Sequence, residues 1–234
     1  MAVLTWDAIG EHFYETGVDH VALYKPNDQK KYVGGVAWNG VSSISESPSG
    51  ADSNPIYADN IKYLDLRSAE EFGATIECYA YPKEFAECNG EASVMDGVTI
   101  GQQARKTFGL AYRSIVGNDL KGNDYGYKLH LIYGATASPS ETQYNTVNDS
   151  PEAGTYSFEI TTTPIAVSGY KNTARLTVDS TMFTTTAAKA KLTALENKLF
   201  GTENTEPELP TPDEVFGLLG LEYDEQTGTW GPTT

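Results

Sequence analysis

The chain has 234 residues, which is enough for one large β-rich domain or for one domain with an appendage. Its formal net charge of −16 argues against a surface that binds nucleic-acid phosphates or an anionic membrane, because such surfaces need clustered Lys and Arg. Hydrophobic residues make up 39% of the chain and include 15 tyrosines, so a wholly disordered protein is excluded.

Segments for export, membrane insertion and cross-linking are not evident. No apolar run is long enough to span a bilayer, and residues 1–17 lack the basic and apolar regions of a signal peptide. We therefore expect synthesis in the cytoplasm and no membrane partner. Cys78 and Cys88 fit no metal-binding or disulfide pattern, so we expect two buried or half-buried free thiols.

In chain order, alternation of apolar and polar residues is the main pattern of the first 180 residues, and it is typical of half-buried strands. It is clearest at residues 74–80, 155–163 and 173–179. Further strands are predicted at 20–25, 32–38, 61–66, 106–116 and 127–134. About eight strands joined by turns rich in Gly, Asn and Asp predict a mainly β fold, a β-sandwich or barrel. A short flanking helix is predicted to begin near Pro82.

One long polar segment, at about 39–60, lies between two predicted strands. It consists largely of Ser, Pro, Gly, Asn and Asp. Loops of this length without their own structure are uncommon in compact domains and are usually functional or disordered. Ile44, Ile56 and Tyr57 are apolar residues that need a surface to bury them. We therefore predict a contact loop rather than a solvated connection of no consequence.

The sequence changes character after residue 180. TTTAAKAKLTALENKLFG predicts a helix that ends at Gly201, with a stripe formed by Ala188, Leu192, Leu195 and Leu199. A linker rich in Pro and Glu follows.

A second helix is predicted after this linker, because Thr211, Pro212 and Glu214 have the spacing of a capping box. Residues 201–234 contain eight acidic residues and no Lys or Arg. We interpret 1–180 as a β-domain and 181–234 as an acidic, partly helical C-terminal extension. Residues 201–234 are predicted to be a small appendage, mobile or docked on a neighbouring subunit.

Catalytic and metal-binding motifs do not stand out from the background. The three histidines lie in different segments without metal-ligand spacing: His12, His20 and His130. Asp119 and Asp124 could hold calcium, but the EF-hand spacing is absent and a polar turn explains them better. Gly34-Gly35 indicates a bulge or a close approach of backbone. A glycosidase needs only two carboxylates in proximity, so the sequence leaves that alternative open, although we expect no enzyme activity, cofactor or metal.

An ordered series of segments carries more information than any single motif. WNGVSSISESPSGADSNPIYADN is followed by LHLIYGA, PSE, VNDSPEA and EITTTP. Together these segments resemble the major tail protein of long non-contractile-tailed bacteriophages, which is the subunit of the tail tube. The resemblance extends over roughly residues 20–180.

This resemblance implies a structural virion protein of the phage tail, a β-sandwich with a flanking helix. Six copies would close into a ring, and rings would stack into a tube through which DNA leaves the virion. The implied partners are further copies of the protein and the tail terminator, distal tail and tape measure proteins. DNA would pass through the lumen without specific binding, which suits an acidic chain because a basic wall would retain each phosphate.

The resemblance also implies a site, because a long loop between early strands of such tubes reaches the next ring, helped by terminal arms. We therefore predict an inter-ring contact loop that contains Ile44, Ser45, Glu46, Pro48, Asp52, Ile56 and Tyr57. Removal of residues 201–234 is predicted to leave assembly largely intact. The alternative is an all-β binding module that recognises carbohydrate or a cell surface.

Overall fold

The computed structural model describes residues 3–147, 149 and 153–233. Most of the VNDSPEA segment therefore lies outside the described residues. The strands of the described part are β1 (Phe13–Pro26), β2 (Tyr32–Ala37), β3 (Val41–Glu46), β4 (Ser49–Gly50), β5 (Ser53–Ala58), β6 (Ile61–Arg67), β7 (Glu70–Glu71), β8 (Gly73–Cys78), β9 (Ala92–Met95), β10 (Val98–Ile100), β11 (Phe108–Asn118), β12 (Gly122–Ala137), β13 (Tyr156–Thr162), β14 (Arg175–Asp179), β15 (Glu208–Leu209), β16 (Leu221–Asp224) and β17 (Thr229–Pro232). The helices are α1 (Thr186–Phe200) and α2 (Pro212–Leu218), with 3-10 turns at Lys83–Phe85 and Ser180–Met182.

One antiparallel sheet organises the molecule, with the strand order β15-β2-β1-β11-β12-β13-β8-β3 and with β14 paired to β12. Strand β12 changes partner along its length, because Lys128–Ile132 pair with β14 whereas Ala135–Ala137 pair with β13. Gly134 lies at this change with a φ of 59°. A Cβ at this position would lie 2.2 Å from the carbonyl oxygen of Thr163, so only glycine allows the two backbones to approach.

Three central strands, β1, β11 and β12, have both faces buried over part of their length, at residues 21–24, 108–112 and 129–135. Successive side chains alternate between two cores: Leu23 and Leu110 belong to the first core, whereas Tyr24 and Ala111 belong to the second. Strands β8 and β13 cover the first core. Burial on both faces explains why LHLIYGA is a nearly continuous apolar run rather than an alternating one.

The C-terminal segment covers the second core. Residues from α1, β15 and α2 pack there against the sheet: Leu192, Leu195, Leu199, Leu209 and Val215. The Tyr24 hydroxyl donates a hydrogen bond to the Leu199 carbonyl oxygen at 2.7 Å, and β15 pairs with β2. Residues 201–234 were predicted to be an appendage, and this is wrong for Leu209 and Val215, which are buried on their own chain's sheet.

The predicted mainly β fold with a partly helical C-terminal segment is confirmed. A 3-10 turn follows Pro82, and the capping box of α2 is present, with the Thr211 backbone N–H donating to the Glu214 carboxylate at 2.9 Å. The close approach predicted at Gly35 is also present, since a Cβ there would lie 2.4 Å from the Tyr24 ring. Cys78 and Cys88 are buried free thiols.

Among the described residues, no helix combines the length and the apolar character needed to cross a bilayer.

Replacing Leu195 by Ala is expected to lower the free energy of unfolding by about 2–5 kcal/mol, because it leaves a cavity in the second core. Urea unfolding followed by circular dichroism would measure the change. Thr193→Ala, at an exposed position of the same helix, is the matched control and should stay within about 0.5 kcal/mol of the wild type. Equal effects of the two substitutions would show that α1 does not cover the sheet.

Candidate assembly surface

Residues 41–78 form one long antiparallel ribbon that begins in the sheet and leaves it. Strand β3 pairs with β8, β4 with β7, and β5 with β6. The ribbon turns at Asp59 and Asn60, whose φ angles of 50° and 61° are those that a two-residue type I′ hairpin turn needs. The prediction of a long loop without regular structure at about 39–60 is therefore wrong, because this segment is the outgoing half of a β-ribbon.

The outer part of the ribbon, residues 47–71, is named the β-arm here. Every residue of the β-arm is exposed except Ala58, which is half-buried. An extended strand from Ser47 to Ala58 covers up to about 40 Å, so the β-arm reaches well beyond the sheet. Six of its exposed residues are large and apolar: Ile56, Tyr57, Ile61, Tyr63, Leu64 and Leu66. Apolar side chains gathered on one exposed element indicate an interaction surface.

Polar contacts within the β-arm support its shape. Ser53 donates a hydrogen bond to the Asp65 carboxylate at 2.5 Å, and the Lys62 ammonium donates to the same carboxylate at 2.9 Å. Ile56 lies directly opposite Leu64, so these two side chains share one face of the ribbon. The β-arm is thus an ordered ribbon that presents apolar side chains to solvent.

The seven residues of the predicted contact loop fall into two groups. Ile44, Ser45 and Glu46 belong to β3, where Ile44 packs against the first core and Ser45 pairs with Thr75 of β8. The other four lie on the β-arm: Pro48, Asp52, Ile56 and Tyr57. Their contact with another ring stays a prediction. The sequence reasoning did not group the returning strand β6 with them, although Asp59-Asn60 between two β-rich segments is a hairpin signal.

Glu46 anchors the base of the β-arm to three strands of the sheet. The Tyr112 hydroxyl of β11 donates to Glu46 Oε1 at 2.6 Å, and Arg175 of β14 forms an ion pair with Oε2. Nδ1 of His130 on β12 lies 3.4 Å from Oε1. Burial raises the pKa of Glu46, but the contacts with His130 and Tyr112 and the charge of Arg175 outweigh it, so the pKa is lowered overall.

A second carboxylate, Glu15 of β1, lies on the other side of the His130 ring. The Ser114 hydroxyl donates to Glu15 Oε1 at 2.5 Å, and the Lys128 ammonium donates to Oε2 at 2.6 Å. Burial raises the pKa of Glu15, but the hydrogen bonds from Lys128 and Ser114 lower it by more. Together with Glu46, these residues line a polar cleft of about 410 Å³ at the base of the β-arm.

Ser114, His130 and Glu46 have the residue types of a hydrolytic triad, but their hydrogen bonds favour a structural role. Ser114 Oγ lies 2.8 Å from Nε2 of His130, yet its only proton is directed to Glu15. A nucleophilic serine needs its proton to be directed to the general base. The His130 side chain is 8% exposed, and its ring stacks on Tyr112 at 4.7 Å between centroids.

Two further elements expose apolar side chains. The N-terminal segment 3–12 carries four of them: Val3, Leu4, Trp6 and Ile9. This segment is attached to the sheet by the Gly10 backbone N–H, which donates to the Asp119 carboxylate at 2.9 Å. The β9–β10 hairpin exposes Val94, Met95, Val98 and Ile100. The part of the chain that the structure describes therefore includes three separate exposed apolar segments, the β-arm, the N-terminal segment and the β9–β10 hairpin.

Comparisons with known proteins find no matching family model and no matching curated protein. Ten chains of solved structures match, and one of them is described as "Cryo-EM structure of the anti-feeding prophage (AFP) baseplate, 6-fold symmetrised". Its identity to this chain is 11% and its TM-score 0.35, over 75% of this chain and 97% of that chain. A TM-score of this size does not establish a shared fold.

Replacing Glu46 by Gln is expected to make stability less sensitive to acid. The pKa of Glu46 is lower in the folded than in the unfolded protein. Its charge therefore contributes stability above the ordinary value of 4.5, and this contribution is lost as the pH falls through the lowered folded-state value. Urea unfolding between about pH 7 and about pH 3 should show a difference between wild type and variant above about pH 4.5 that disappears towards about pH 3.

Glu203→Gln is the matched control, since Glu203 is an exposed glutamate on the C-terminal segment. Its effect on the free energy of unfolding should be small at every pH. A difference between wild type and Glu46→Gln that does not change with pH would contradict the anchoring role of the Glu46 charge.

Proposed function

We propose that this protein is a structural subunit of a phage-type tail tube, which closes into hexameric rings that stack through the β-arm. The observation that carries the proposal is the β-arm itself. It is an ordered ribbon whose six large apolar side chains are exposed on the isolated chain. The resemblance of residues 20–180 to tail-tube subunits supports the tube and the number of six.

The shape of the molecule fits stacking by unlike surfaces. An arm that extends from one subunit meets a different surface on the next, and repeated contacts of this kind build an open stack. The N-terminal segment and the β9–β10 hairpin supply further apolar surfaces for contacts within or between rings. The formal net charge of −16 is compatible with a lumen through which DNA slides without being held.

Under this proposal the protein belongs to the virion tail and has no catalytic role. Its partners are further copies of itself and the tail terminator, distal tail and tape measure proteins. DNA ejection through the tube requires no base-specific contact. A solitary domain that binds carbohydrate or a cell surface would not form tubes, so images of the purified protein separate this alternative from the proposal.

Tyr63→Lys is expected to prevent tube formation while the subunit remains folded. Tyr63 is 67% exposed on the β-arm, so the free subunit tolerates lysine, whereas burial of an unpaired ammonium in a subunit contact is costly. Tyr170 is also 67% exposed but lies outside the β-arm, and Tyr170→Lys is the matched control. Negative-stain images and sedimentation should show tubes for the wild type and the control only.

A shortened β-arm provides an independent test. Residues 55–65 would be replaced by Asn-Gly, which joins the paired residues Asn54 and Leu66 and leaves β3 and β8 in the sheet. Deletion within 42–56 would be less informative, because Val41–Glu46 are part of the sheet. The shortened variant should melt cooperatively and stay monomeric. Tubes of normal length from this variant and from Tyr63→Lys would refute stacking through the β-arm.

A further inference from the structure

The cleft at the base of the β-arm contains an unpaired nitrogen. Among the described residues, Nδ1 of His130 is a buried side-chain atom without a hydrogen-bond partner. The side chain is 8% exposed, and Glu46 Oε1 lies 3.4 Å from this nitrogen. Buried polar atoms are almost always hydrogen-bonded, so this one requires an explanation.

The surrounding hydrogen bonds determine where a neutral imidazole carries its proton. Ionised Glu15 can only accept, so the Ser114 hydroxyl uses its proton on Glu15. Ser114 Oγ must then accept a hydrogen bond from Nε2 of His130, at 2.8 Å. A neutral imidazole has one N–H, and Nδ1 is therefore left with a lone pair that faces Glu46. This juxtaposition is unfavourable.

A second proton removes the conflict. Protonation of Nδ1 would place a positive charge 3.4 Å from Glu46 Oε1 and convert the contact into an ion pair. The cleft is suited to this additional positive charge, because it contains three carboxylates and only two cations. These charged groups belong to β1, β3, β12 and β14: Glu15, Glu46, Lys128, Arg175 and Asp179. The uncharged groups are Tyr112 and Ser114 of β11 and Thr177 of β14.

We propose that His130 is a proton-operated latch that fastens the base of the β-arm to the central sheet. Protonation of Nδ1 strengthens the contact of Glu46, the last residue of β3, with β12. Loss of that proton leaves Glu46 held by Tyr112 and Arg175 alone and frees the β-arm to change its angle at the base. Histidine is the side chain suited to such a change between about pH 5 and 8.

The direction of the pH dependence follows from proton binding. The docked state of β3 takes up a proton that the opened state does not hold near Glu46, so docking is favoured as the pH falls. The effect must be sought above the ordinary Glu46 pKa of 4.5, because protonation of Glu46 itself removes the acceptor.

Hydrogen exchange followed by mass spectrometry tests the latch on the full chain. Amide protection in residues 41–46, corrected for intrinsic exchange, should be about tenfold higher at about pH 5.5 than at about pH 8, because the docked state gains one partly buried ion pair. Residues 156–162 of β13, which do not line the cleft, are the internal control and should not change. Equal protection of residues 41–46 at both pH values would overturn the proposal.

Two variants test whether the pH dependence of amide protection arises from His130 and Glu46. His130→Gln cannot take up the proton, and Glu46→Gln weakens its acceptor, so each should abolish the difference in protection between the two pH values. A pH difference that persists in either folded variant would overturn the latch. If His130→Gln does not fold, Glu46→Gln and the wild-type comparison decide the question.

The consequence for tube assembly rests on the proposed function and is measured separately. Negative-stain counts of tubes at the two pH values should differ for the wild type and not for Glu46→Gln. Absence of tubes at every pH, with the difference in protection intact, would refute the tube and leave the latch in place. Tubes that form without any difference in protection would refute only the latch.

Discussion

Burial of the central strands on both faces is the constraint on which the rest of this structure depends. Strands β1, β11 and β12 present apolar side chains to two cores, so each face needs its own cover. Strands β8 and β13 cover the first core, and α1, β15 and α2 cover the second. Residues 181–234, despite their many acids, are therefore part of the fold. The switch of partner at Gly134 allows β13 to lie over the first core, because β12 pairs with β14 before Gly134 and with β13 after it.

The polar cleft is a consequence of the same alternation. His130 lies two residues before Ile132 on β12, so its side chain is on the same face of the strand, the face of the first core. At His130, however, the elements that cover this core end. Strand β3 leaves the sheet beside it, after Glu46. The polar groups of five strands meet in the opening: Glu15, Glu46, Tyr112, Ser114, Lys128, His130 and Arg175. This partly buried network favours one position for the departing strand, because moving Glu46 would leave Tyr112 and Arg175 without their partner.

Some strands and helices of this fold are easier to predict from the sequence than others, and the difference depends on how each one is buried. Strands with one solvated face, such as β8 and β13, show the alternation that predicts them, and the apolar stripe with Leu192 and Leu195 predicts α1. The outgoing half of the ribbon has little apolar surface to bury in its own domain, so its residues show no period and resemble a loop. The many acidic residues of 201–234 also suggest a solvated appendage, which is misleading. The acids are the outward side chains, whereas Leu209 and Val215 are buried.

The cleft was beyond sequence reasoning for a different reason. A lone histidine in a strand is predicted to be structural, and the hydrogen bonds of His130 favour that role. Its side-chain partners, however, come from three other strands, β1, β3 and β11, of which β1 and β3 are far from it in the chain. Only the register of the sheet places Tyr112 and Ser114 beside His130, and only the path of β3 brings Glu46 to Nδ1.

The β-arm and its anchor are linked by covalent continuity. Beyond Glu46 the ribbon loses contact with the cores, so its direction is set by the last residues that the sheet holds. Small changes at such a base are amplified along a rigid ribbon: a rotation of about 10° would move a tip about 40 Å away by about 7 Å. Under the proposed function, a contact at the tip is therefore sensitive to the groups that hold the base of the β-arm.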